Sequence, residues 1–69
     1  MMQMKIWKIL KSSLGVVAYV KVSDNCDIFD TGYAALQLVR EQTNDRNVSG
    51  TQLLDCEEKM LENIPIYTL

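Results

Sequence analysis

The chain has 69 residues, 48% hydrophobic and 23% charged, with net charge −2, two cysteines and no histidine. This length allows one domain, residues 1–69, and on folding such a chain buries only roughly 60% of the surface it exposes when unfolded. Histidine-based catalysis, tetrahedral zinc and a disulfide scaffold are all disfavoured: Cys26 and Cys56 are isolated, and no stretch resembles a signal peptide, so a cytoplasmic chain with reduced thiols is expected.

In chain order, residues 4–11 carry Ile6, Trp7 and Ile9 in imperfect alternation, and residues 16–22 are dense in β-branched side chains around Tyr19. Both read as strands. Ser12, Ser13, Leu14 and Gly15 suit a tight turn closed by a left-handed glycine, which predicts a β-hairpin over residues 3–22. Its register has two solutions. A loop of 13–15 places Trp7, Ile9, Val17 and Tyr19 on one face, against Ile6, Leu10, Val16, Ala18, Val20 and Val22. A loop one residue longer groups Trp7 and Ile9 with Val16, Ala18, Val20 and Val22, leaving Ile6, Leu10, Val17 and Tyr19 opposite.

Ser23, Asp24, Asn25 and Asp27 mark a loop, since each short polar side chain competes for backbone hydrogen bonds. The acidic run Asp24, Asn25, Asp27, Asp30 lacks the central glycine and terminal glutamate of a calcium loop, so no metal is expected. A helix is predicted from Asp30 or Thr31, with Tyr33, Leu36 and Val39 on one stripe and Phe29 stapling its entry; it ends near residues 44–47. A second helix is predicted from Ser49. Ser49 and Gln52 have capping-box spacing, and Val48 and Leu53 that of a hydrophobic staple. Its apolar stripe would be Leu53, Leu54, Met60 and Leu61, with Asp55, Glu57, Glu58 and Glu62 solvated, and it would stop at Asn63 before Pro65. The expected fold is α+β: an N-terminal β-hairpin followed by two α-helices (ββαα), or ββααβ if the tail Ile66 to Leu69 adds a short C-terminal strand.

Residue types argue against an enzyme. Without histidine a serine or cysteine nucleophile lacks its usual base, the carboxylates lie at the spacing of a solvated helix face, and Gly15, Gly32 and Gly50 form no phosphate loop. No catalytic residue and no cofactor are therefore expected. No apolar run reaches the roughly 18–20 residues of a membrane span.

Partners are suggested by charge and by the hairpin. Residues 1–23 hold four lysines and no acid, while residues 24–69 hold three basic and nine acidic side chains, giving about +4 and −6. Either register leaves the hairpin apolar on both faces, and two helices cover one. Burying Trp and Tyr, about 150–250 Å² each, at roughly 25 cal/mol per Å² is worth several kcal/mol. The predicted interface is therefore Trp7, Ile9, Leu10, Val17 and Tyr19, covered by a second copy in a homodimer or by another protein, unless the C-terminal tail folds over it. The expected function is a non-enzymatic protein-interaction module: an adaptor, regulator or inhibitor, of a kind that phages and mobile elements encode. The alternative is nucleic-acid binding by Lys5, Lys8, Lys11 and Lys21 interleaved with Trp7 and Tyr19. An acidic chain with two arginines weighs against it.

Overall fold

The computed structural model describes residues 4–12, 14–23, 28–55 and 57–69, and for Met4, Ser23 and residues 28–30 the backbone alone. Cys26, Cys56, the candidate calcium loop and the proposed Phe29 staple thus lie outside the described residues and side chains. The alternating residues of the first segment form β1 (Met4–Lys11), and the β-branched run forms β2 (Gly15–Ser23). They pair antiparallel; between them Leu14 N–H donates to the Lys11 carbonyl at 3.0 Å and Gly15 takes φ 74°, unstrained only without a side chain.

Trp7 lies opposite Val20 and Ile9 opposite Ala18, but Leu10 lies opposite Val16. Val17 is therefore the extra residue of a β-bulge. From Lys5 to Ile9 the hairpin follows the second predicted grouping; beyond the bulge, Val16 joins the face of Leu10, and Val17 packs against the core of the other face.

That core lies under one helix, α1 (Ile28–Thr43), which starts two residues before the predicted Asp30. Its buried residues Thr31, Gly32, Ala35 and Val39 are small or β-branched, so the helix approaches the sheet closely over Trp7, Ile9, Ala18, Val20 and Val22. A Cβ built on Gly32 would lie 2.9 Å from Trp7 Cη2. The indole cannot easily yield, because its Nε1–H donates to Thr31 Oγ1 at 3.2 Å from within the core. The helix ends where Asn44 adopts φ 55°, a left-handed conformation that asparagine tolerates at helix ends. Asp45 Oδ1 then accepts the Asn47 N–H at 2.9 Å and turns the chain back towards the sheet.

Among the described residues there is no second helix, and the ββαα and ββααβ orders are both incorrect. Residues Val48–Leu53 form strand β3, antiparallel to β1; the described residues among 54–65 are irregular; and Ile66–Thr68 form β4, parallel to β2. The order is ββαββ, in one sheet of spatial order β3-β1-β2-β4. Ser49 and Gln52 make no capping box. A cap is worth only about 0.5–2 kcal/mol, and Gly50 costs a helix about 1 kcal/mol. Against these local terms, β3 gives the outer edge of β1 its hydrogen-bond partners and buries Val48 under α1. Tertiary pairing decides the outcome.

Residues 54–65 connect the two edges of the sheet across the face opposite α1. Lys8 and Tyr19 are cross-strand neighbours on that face. Lys8 Nζ contacts both carboxylate oxygens of Glu58, at 3.0 and 2.9 Å, and Tyr19 Oη accepts the Leu61 N–H at 2.8 Å. The Asp55 carboxylate, predicted to lie on a helix, instead closes a turn by accepting the Glu57 N–H at 3.2 Å.

Candidate interaction surface

The two faces of the hairpin are both covered from within the chain. Trp7 is 8% exposed and Ile9 0%, both under α1, while Tyr19 is 1% exposed beneath the crossover 54–65. Leu10 and Val17 are half-buried, and on different surfaces, since Val17 packs against the helix-side core. The five residues of the predicted interface therefore do not form one exposed patch. The second face is covered by residues 54–65 and not by the tail Ile64 to Leu69 that the sequence offered as its cover; the tail instead adds β4 beside β2.

The lysine and aromatic stripe is dispersed as well. Alternation along β1 puts Lys5 and Lys11 on the helix side with Trp7, whereas Lys8 lies on the other side with Tyr19, and Lys21, opposite Ile6, joins it there. Lys8 is held by Glu58, and Lys11 Nζ lies 2.7 Å from Asp45 Oδ2. Both carboxyls are pulled below their ordinary range. For Asp45 the hydrogen bond from Lys11 is the main cause, reinforced by the Asn47 amide; for Glu58 it is the hydrogen bond from Lys8. Trp7 and Tyr19, the aromatic rings of the predicted stripe, are both buried, on opposite faces.

Among the described residues the sheet has two outer edges, that of the three-residue β4 and the longer one of β3. The Leu54 N–H donates to the Ile6 carbonyl at 2.8 Å, and Gln52 and Gly50 follow at two-residue intervals opposite Lys8 and Leu10. In an antiparallel ladder alternate residues direct both backbone groups to one neighbour, so those of Thr51 and Leu53 point away from β1. No strand among the described residues pairs there. The Val48 carbonyl is already taken, by Arg40 Nε–H at 2.9 Å. The strand contains no charge and no proline, but Gly50 lies opposite Leu10 and Val48 opposite Lys11, so Ser49 is the extra residue of a β-bulge, one of the devices by which proteins guard an edge, and only the stretch from Gly50 to Leu53 is unguarded. Sequence reasoning missed this element because the residues had been assigned to a helix; the signal that could have found it is the β-branched pair Val48 and Thr51 around Gly50.

Other surfaces offer less. An open depression on the outer side of α1 is lined by Gln37, Arg40, Glu41, Asn44 and Arg46, with no convergent catalytic group. Among the described residues no three acidic or cysteine side chains converge as a metal site would require, and no helix is long and apolar enough to cross a membrane. The chain matches no known protein family, no curated protein and no solved structure.

Proposed function

We propose that this chain is a protein-binding module that works by binding rather than catalysis, and that its binding element is the outer edge of β3, which a partner extends by strand addition. The observation that carries the proposal is the open edge beyond the bulge, Gly50 to Leu53: uncharged residues with the backbone groups of Thr51 and Leu53 turned outward. In strand addition, main-chain hydrogen bonds supply affinity and alternate side chains supply selectivity. Leu53, 38% exposed beside Trp7, is the apolar side chain best placed to contact an added strand.

Thr51→Pro tests this directly. Proline at an outward-facing position removes one edge donor and leaves the ladder to β1 in place. A photoreactive residue at position 51 should cross-link to an extended segment of the partner, and Thr51→Pro should abolish the complex while Glu62→Lys, on the exposed crossover, should not. A partner bound equally well by Thr51→Pro would overturn the assignment.

A further inference from the structure

We infer that the strand added to β3 is β3 of a second copy, paired antiparallel about a two-fold axis through Thr51, so that two four-stranded sheets become one of eight strands. This rests on the strand-addition reading and names its partner. A two-fold axis normal to a sheet reverses strand direction but keeps the faces, so both helices lie on the same side. About the axis each residue i then faces residue 102 − i of the other copy: Thr51 meets its own counterpart and Gln52 meets the partner's Gly50, while the bulge at Ser49 ends the regular pairing. Thr51 has its backbone groups directed outward, so the central pair is a hydrogen-bonded one.

Two observations favour a second copy over an unrelated segment. The first is charge. Residues near a two-fold axis face themselves, so any charge there would repel its own copy, and Val48–Leu53 contains none. At the ends the signs complement. Arg46 precedes the strand, Asp55 and Glu57 follow it, and all three are exposed. Antiparallel pairing brings each Arg46 towards the acidic end of the other copy, twice per dimer, where parallel pairing would set like against like.

The second is the flank that α1 presents to that edge. Arg40 reaches the Val48 carbonyl, so its side of the helix overlooks the β3 edge. Leu36 and Tyr33 share that stripe, four and seven residues earlier. Tyr33 is 68% exposed, so a large aromatic stands where the partner's helix would cover it.

The test is register-specific. In a chain with Cys26 and Cys56 replaced by serine, Thr51→Cys should oxidise to a covalent dimer, because paired residues of a hydrogen-bonded antiparallel site lie about 5.5 Å apart, within disulfide reach. Gln52→Cys, which in this register does not face itself, should not do so. Sedimentation of the wild type should show a concentration-dependent dimer, and backbone N-methylation at Thr51, with the fold checked by circular dichroism, should weaken it by about tenfold or more through loss of two symmetric hydrogen bonds. A wild type that stays monomeric, while Thr51→Pro still abolishes a foreign complex, would overturn self-pairing and leave strand addition standing. A dimer unaffected by N-methylation at Thr51 would overturn both.

Discussion

Replacing Gly32 by alanine sets two effects of opposite sign against each other. In a helix interior alanine is favoured over glycine by about 0.8–1.0 kcal/mol. Here the added methyl would sit 2.9 Å from Trp7 Cη2 and 3.2 Å from Cζ2 and Cζ3, closer than van der Waals contact at three aromatic carbons. The ring is boxed in by the core and tethered through Nε1 to Thr31, on the residue just before Gly32. Either the helix lifts or the indole leaves its hydrogen bond, and overpacking of this kind costs about 1–3 kcal/mol. The expected net result for Gly32→Ala is a loss of up to about 2 kcal/mol, a large part of the roughly 3–5 kcal/mol a core this size supplies. Trp7→Phe removes the far edge of the indole, so in that background the methyl should fit and only the propensity gain of about 1 kcal/mol should remain. Urea denaturation of the four proteins, with slopes unchanged, gives the coupling between the sites, expected at about 1–3 kcal/mol. The same effect of Gly32→Ala in both backgrounds would refute the close helix–indole contact.

Tyr19→Phe removes the acceptor of the Leu61 N–H and should cost about 0.5–1.5 kcal/mol, with faster hydrogen exchange at Leu61 while β1 and β2 amides stay protected; unchanged exchange at Leu61 would show that the crossover is held by other contacts. Glu58 has its pKa lowered, chiefly by the hydrogen bond from Lys8, as Asp45 does by that from Lys11. A lowered folded pKa means that each contribution is present above the ordinary carboxylate range and is lost as pH falls through the folded value. Glu58→Gln should therefore make stability less sensitive to acid than Glu62→Gln does, and identical acid profiles for the two would remove the Lys8 pair from the account. Ser49→Ala, at an exposed strand position, should change stability by no more than about 0.5 kcal/mol; a loss of about 1 kcal/mol or more would restore a capping role.

The hairpin and α1 were legible because their signals are local and strong. β-branched runs around a glycine turn, and an apolar helix stripe, are read within a few residues, although of the stripe Tyr33, Leu36 and Val39 the first is 68% exposed. The bulge at Val17 was not, because a register depends on what each face meets across the whole sheet. Nor was the fate of residues 48–65. There the capping pattern of Ser49 and Gln52 and the amphipathic spacing of Leu54, Met60 and Leu61 fit a helix as isolated segments, yet each term is small, and the open edge of β1 was not visible from those residues.

The candidate site follows the same division. Sequence alone established that both faces of the hairpin are apolar and that the chain has no histidine or phosphate loop. Which partner covers the second face is a question of where a distant segment lands, and tertiary structure answered it with residues 54–65, through Tyr19 and Lys8. The unguarded β3 edge came into existence with the same event. A run of six uncharged residues is unremarkable in a chain and becomes a binding element only when one side of its backbone is paired and the other is left open. Composition and local pattern determined the hairpin, α1 and the lack of familiar catalytic motifs; long-range pairing decided which surfaces the molecule shows, because backbone hydrogen bonds are satisfied by whatever strand is near in space, whatever its distance in sequence.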